Sequence, residues 1–511
     1  MKKLLIFIVI FVTASCWLYI SSCTNAATEK ESEENAISYN FDVRPIFSDK
    51  CFKCHGPDGN KREAGLRLDI ESEAYKALTE HPRAHAIVPF NPDASEVFLR
   101  VSTKDTSEVM PPASSLLPAL TETEISTIRR WIKQGGKYEK HWAFIPPRKS
   151  AVPAIKNSDW AKNEIDHFVG AQQEKMGLSP NPEAEKERLA KRAYLDLTGL
   201  LPTPTAVDSF VNDASANAYE KMIDQLLAQP AFGERMALPW LDLARYADSH
   251  GYQDDNYRSQ WPWRDWVINA YNRNLSYDKF VTWQLAGDLL PNPTREQILA
   301  TAFNRNHKIT EEGGVIDEEY RVEYVTDRTN SFGKSFIGVT IECAKCHDHK
   351  YDPFSQKEYF QLYAFFNNIT DVGLESVVGG PETYAKNPRM RITPDDLGGI
   401  LHFLNKKDTT RLEVSVMKDR DTARQTFILN RGSYDAPTTE VFPATPAALL
   451  PYATKYPSNR LGLAEWLFDP ANPLTARVYV NRVWQELFGK GIVRSVDDFG
   501  MQGQLPSNPK L

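Results

Sequence analysis

Apolar residues recur along most of this chain three and four residues apart, a helical period that predicts a mainly α protein. Phe41, Val43, Ile46 and Phe47 give a short apolar-faced helix running towards residue 51. Another helical stretch is expected around 95–101. Thr121 with Glu124 three residues later is a capping box, and the helix it opens buries Ile125, Ile128, Trp131 and Ile132 before Gly135-Gly136 ends it. After a proline-rich linker the same period predicts helices over 160–176, over 184–197, over 219–227 and over 240–246. No alternation of period two of any length precedes residue 370. Beyond it, segments 389–392, 412–416 and 427–431 carry strand-like alternation between turns and prolines. A further helix begins at Arg460.

The expected architecture is a small helical domain, a larger mostly helical domain and a strand-containing C-terminal segment. The bounds read as a leader over 1–22, a flexible tether over 23–37, a first domain over 38–140 and a linker over 141–157. A helical domain follows over 158–370, then a mixed strand and loop connector over 371–455, then the start of a third helical domain over 456–511. A chain of 511 residues needs more than one core. With 41% hydrophobic and 25% charged residues the composition is globular, and a net charge of −7 gives no footprint for nucleic acid.

The leader has Lys2 and Lys3 before an apolar run from Leu4 to Val12, and a second apolar patch that reaches Ile20. Ile20-Ser21-Ser22-Cys23 resembles a bacterial lipobox, which predicts lipidation of Cys23 and membrane attachment through that lipid. The alternative is an uncleaved anchor, because the apolar stretch is at the short limit for spanning. Under either reading the body of the chain is exported.

The chemistry is concentrated in two pentads. Cys51-Phe52-Lys53-Cys54-His55 and Cys343-Ala344-Lys345-Cys346-His347 both have the Cys-x-x-Cys-His spacing of c-type haem attachment. Two thiols one helical turn apart can each bond a porphyrin vinyl, and the adjacent histidine becomes the proximal iron ligand. A redox pair or half a zinc site is the competing reading, and neither needs a histidine at that position. Of 6 cysteines, Cys16 and Cys23 lie in the leader, so the other four all fall in the pentads. Two covalently bound haem c groups are expected.

The first region runs helix, pentad, loop, Met110-Pro111-Pro112, closing helix, which is the order of a small class I cytochrome c. Met110 is the expected sixth ligand of that iron, and its thioether favours the ferrous state. His81 and His85 are competitors, read as surface loop residues. The first pentad with Gly56-Pro57-Asp58, Met110-Pro111-Pro112 and Trp131-Ile132-Lys133-Gln134-Gly135 resembles the planctomycete-type cytochrome c domain.

A second resemblance covers about 160–368. It rests on Trp240-Leu241-Asp242-Leu243-Ala244-Arg245-Tyr246, Gln284-Leu285-Ala286-Gly287-Asp288, Glu312-Gly313-Gly314 and the stretch from Cys343 to Pro353. These are similar to a cytochrome-associated domain of unknown function that carries its own Cys-x-x-Cys-His. Asn472-Pro473-Leu474-Thr475-Ala476-Arg477 and Asp498-Phe499-Gly500 resemble the opening of a third domain of unknown function, which in that family runs on further, so a truncated third domain is expected.

For the second iron, His250 and His307 are tentative distal ligands. His349 and Lys350 are expected to bond a haem propionate. Asp248, Asp254 and Asp255 read as a solvated loop capping helices, with a cation or acid/base site as the alternative, and Glu311, Glu312, Glu318 and Glu319 raise the same question. The leading functional reading is an envelope electron-transfer protein, with a redox partner protein or a quinone-linked chain and no nucleic acid. The alternatives are a dihaem redox enzyme with an open second iron and a glycan-processing enzyme with accessory cytochrome modules.

Overall fold

The computed structural model describes residues 36–59, 61–253, 255–374, 385–401 and 412–511. The lipidation expected at Cys23 and the carboxylate of Asp254 lie outside them. The chain is mainly helical, and it divides into two compact units, one ending at Trp142 and the other beginning at Ala143.

In the first unit a π-helical turn, Tyr39–Val43, leads into α1 (Arg44–Lys50), α2 (Phe52–His55), α3 (Glu96–Ser102) and α4 (Glu122–Lys133). The capping box at the head of α4 is formed: Thr121 Oγ1 accepts from the Glu124 amide at 3.2 Å, and Glu124 Oε2 accepts from the Thr121 amide at 2.6 Å. Gly135 and Gly136 then take left-handed φ of +110° and +62°, which stops the helix at little steric cost. Ile128, Trp131 and Ile132 are buried, each worth about 1.5–3 kcal/mol relative to exposure. Trp131 joins the two ends of the unit: Tyr39 stacks on it at 5.5 Å and Phe47 meets it edge-on at 5.7 Å.

The second unit contains α5 (Glu164–Lys175), α6 (Lys186–Thr198), α7 (Pro204–Asn212), α8 (Ala218–Leu227), α9 (Pro230–Leu243), α10 (Trp261–Asn272), α11 (Tyr277–Ala286) and α12 (Arg295–Ala300). It continues with α13 (Asp317–Phe332), α14 (Gln356–Asn367), α15 (Arg460–Leu467) and α16 (Thr475–Phe488). The helix expected over 240–246 is the last turn of α9. That helix starts at Pro230 and passes through Pro239, a residue that reads as a breaker because it lacks a donor. Helices α9 and α10 meet at Gly233, where a Cβ would lie 2.4 Å from the Ile268 carbonyl oxygen.

Two small antiparallel sheets complete the unit. β1 (Arg389–Arg391) pairs β2 (Glu413–Ser415) with Met390 opposite Val414. β3 (Thr426–Leu429) pairs β4 (Pro437–Val441). β4 was not expected, and four of its five residues are exposed, so it has no apolar alternation to read.

Two of the stretches that carried the second resemblance pack together in the unit's interior. Trp240 Nε1 donates to Gln284 Oε1 at 2.9 Å, and the Gln284 carbonyl accepts from Asn304 Nδ2 at 2.7 Å. Gly287 sits where a Cβ would be 2.0 Å from the Gln297 carbonyl oxygen. Arg460 of α15 is fully buried and bridges Asp288 and Asp419, tying the C-terminal helices to the middle of the unit.

Candidate functional site

At the first pentad, Cys51 ends α1 and opens α2, so the motif occupies one helical turn, with the His55 amide bonded to the Cys51 carbonyl at 2.8 Å. This turn puts Cys51 and Cys54 on one face. Gly56 is required next, since a Cβ there would lie 2.3 Å from the Phe52 carbonyl oxygen. The following loop folds back on the motif: the Glu63 amide donates to the Cys54 carbonyl at 2.9 Å and the Leu68 amide to the His55 carbonyl at 2.8 Å. Both thiols are half-buried and unbonded to each other.

Burial pushes the Cys51 thiol up to about 12, and burial also holds the His55 imidazole below its ordinary value. A redox dithiol or zinc site requires the reverse, a cysteine depressed towards its thiolate. Thioether formation leaves no charged sulfur to bury, and His55 Nδ1 is buried without a hydrogen-bond partner. These residues fit a covalently held haem.

Met110 is half-buried, and its amide donates to the Arg100 carbonyl of α3 at 3.0 Å. Its loop continues through Pro111 and Pro112 into the turn Ala113–Ser115. There the Ser115 carbonyl accepts from Lys53 Nζ at 3.0 Å, so the methionine loop is tied directly to the pentad. Of the competitors, His81 is exposed, and His85 Nδ1 is bonded to the Tyr75 carbonyl at 2.9 Å.

The second pentad begins inside a 3₁₀ turn, Glu342–Lys345, in the second unit. Cys343, Cys346 and His347 are exposed, with Ala344 buried between them. His347 Nδ1 lies 2.7 Å from the Asp348 carbonyl, so Nδ1 carries the proton and Nε2 is the free nitrogen a metal takes. Asp348 Oδ1 accepts from the Gln356 amide at 2.8 Å, which fixes the pentad to the start of α14.

Two of the histidines singled out in the sequence have other partners here. His349 is buried, its Nδ1 accepts from the Asp352 amide at 2.8 Å, and the Thr340 backbone bonds the ring. Burial holds it down to about 4, so it is a neutral structural residue. His307 is buried as well. Its Nδ1 donates to the Lys308 carbonyl at 2.8 Å and its Nε2 accepts from Arg328 at 2.8 Å, while Arg328 itself pairs with the buried Asp371. Both ring nitrogens are engaged. His250 differs: Nδ1 is 3.2 Å from Glu311 Oε2, and Nε2 is buried with no partner. Lys350 lies over the Tyr351 ring, 5.0 Å from its centroid.

The acidic residues serve their own loops. Asp248 accepts from the Gln260 amide at 3.0 Å and from the Tyr246 hydroxyl, and Asp255 accepts from the Gly251 amide at 2.6 Å. Glu318 pairs with Arg321 at 2.6 Å, and Glu311 with Lys386 at 2.5 Å. Among the described residues no group of three or more His, Cys, Asp or Glu side chains is disposed to hold a metal ion.

One buried carboxyl had escaped notice. Asp352 is only 2% exposed, its Oδ1 accepts from the Met501 amide at 2.8 Å, and burial raises it to about 7. The only signal in the sequence was its position just after the second pentad.

Residues 51–114 match the family Planctomycete cytochrome C. Residues 164–371, which contain the second pentad, match a protein of unknown function, DUF1549, and residues 459–511 match another, DUF1553. No curated protein and no solved structure matches the chain. The chain therefore carries a planctomycete cytochrome c domain followed by these two domains. Such a head domain has haem-binding, cytochrome-like character, implies covalently bound haem c and points to an exported protein.

Proposed function

We propose that this chain, a planctomycete cytochrome c domain joined to two domains of unknown function, is an exported electron-transfer protein holding two haem c groups. The observation that carries the reading is that both pentads present two unbonded cysteines beside a histidine with a nitrogen free of partners. Haem iron supplies a one-electron couple whose potential the surrounding protein sets.

The chain's own residues have distinct parts in this. Cys51 and Cys54 would hold a haem through thioethers, with His55 as an iron ligand. Met110 would supply a second iron ligand, and the Lys53 bond to Ser115 ties its loop to the pentad. Cys343, Cys346 and His347 repeat the attachment, with Asp348 orienting His347 through its carbonyl. Attachment to the membrane through a lipid on Cys23 belongs to the same reading. Among the described residues no helix is long and apolar enough to cross a membrane.

A pyridine haemochrome assay with an iron count is expected to give two haems per chain, falling to one in Cys343→Ser/Cys346→Ser. Two haems that persist in that variant, or none in the intact chain, would sink the reading.

One observation favours a second reading, a haem enzyme with an open iron at His347. His307 and His349 have both ring nitrogens engaged, which narrows the distal candidates to His250 and leaves the iron open wherever His250 does not bind it. A high-spin component that shifts with cyanide supports that enzyme, and a fully low-spin spectrum excludes it.

A further inference from the structure

Within the second unit, helices α9, α10, α11 and α16 enclose a cavity of about 290 Å³. That is about twice the volume of an engineered cavity that takes benzene. Aromatic rings dominate its wall. Tyr277 and Tyr479 stack at 3.8 Å, and Trp240 meets Phe280 at 5.0 Å. Such walls accept a flat ring in stacked or edge-on contact.

Three charged or polar groups of the lining have partners: Trp240 Nε1 is bonded to Gln284, Glu486 pairs with Arg235 at 2.9 Å, and Arg482 donates to the Lys334 carbonyl at 2.6 Å and to the Ser335 carbonyl. Tyr277 differs from these, because its hydroxyl is buried and has no partner. A buried donor left unmade is costly until an acceptor reaches it. The mouth is apolar: Val483 and Leu487 line the cavity, yet are 43% and 46% exposed. An uncharged, flat, ring-shaped ligand with a carbonyl acceptor meets all three requirements.

The position of the cavity adds a fourth. Through Arg482, α16 holds the carbonyls of Lys334 and Ser335, and Val478 packs on Gly338, where a Cβ would lie 2.7 Å away. The chain then runs straight into Cys343. The wall of the cavity therefore braces the segment that delivers the second pentad.

We propose that this cavity binds the ring of a quinone, with Tyr277 Oη donating to one quinone carbonyl. The proposal rests on the electron-transfer reading for its choice among flat carbonyl compounds, and it names a partner for that reading.

The test is equilibrium dialysis of the full chain, haem-loaded, against 2,3-dimethyl-1,4-naphthoquinone, whose substituted ring does not add thiols. 2,3-Dimethylnaphthalene, the same ring without carbonyls, is the control. Saturable binding of one quinone per chain is expected. Tyr277→Phe should weaken it about five- to tenfold and leave the hydrocarbon unchanged. Val483→Phe, at an exposed position in the mouth, should abolish binding of both. Absence of saturable quinone binding, equal affinity for the hydrocarbon, or no effect of Tyr277→Phe overturns the proposal. Dithionite reduction of the haems is read on the same samples. Two reducible haems without quinone binding sink this proposal alone. Quinone binding by a chain that attaches no haem sinks the electron-transfer reading alone.

Discussion

Replacing Arg460 is the most demanding test of how the second unit is held together. The side chain is fully buried, and five hydrogen bonds leave its guanidinium. Two form a fork on Asp288 at 2.9 and 2.7 Å, two reach Asp419 Oδ1 at 3.2 and 2.8 Å, and one reaches the Leu285 carbonyl at 2.6 Å. The two carboxylates raise Arg460 above its ordinary range in spite of burial. Arg460→Ala removes the one cation that both carboxylates share, and their side chains are only 10% and 13% exposed. Breaking a buried pair from one side costs about 3–5 kcal/mol. Arg460→Lys should recover little, because an ammonium cannot span a bidentate fork and a second carboxylate together. Urea unfolding followed by tryptophan fluorescence reads the midpoint, and Trp466 of α15 lies close by in sequence. A change under about 1 kcal/mol for Arg460→Ala would refute the reasoning.

Asp352→Asn should change how stability depends on pH. A carboxyl near 3.8 unfolded and about 7 folded keeps its proton only in the native state between those values, so native stability falls as pH rises across that window. The loss, at most about 4 kcal/mol, is complete above the folded value, and the asparagine variant should lack this slope in unfolding series from pH 4 to 8. Gly287→Ala should cost about 1–3 kcal/mol in the same assay, because the added carbon would lie 2.0 Å from the Gln297 carbonyl oxygen. His307→Ala should leave the haem absorption spectrum unchanged while lowering stability, since it strips Arg328 of a buried acceptor. His250→Ala should convert a low-spin second haem to high-spin if His250 is its ligand, and an unchanged spectrum removes it from consideration.

How far the sequence could be read follows from the range of each interaction. The first pentad was legible because attachment chemistry needs its three side chains in adjacent positions along one turn. The capping box at Thr121 and the period of α4 were legible for the same local reason. The surroundings of His307 were not legible, because Arg328, which bonds its Nε2, and Asp371, which pairs with Arg328, are 21 and 64 positions on in the sequence. The start of α9 was missed at Pro239, where tertiary packing overrides a local breaker. Asp352 gave no sign of burial, since the loop that covers it arrives at Met501.

The braces of the second pentad carry a consequence for biogenesis. The first unit is complete once Trp142 has emerged, so its pentad can meet haem on a finished domain while synthesis continues. The second pentad is different. Arg482 holds the segment before it, the Phe499 amide bonds the Gly338 carbonyl at 2.7 Å, and Met501 caps Asp352 behind it. All three arrive well over a hundred residues after Cys343. If the second pentad takes haem as proposed, attachment there either acts on an unbraced loop or waits for the C-terminal helices.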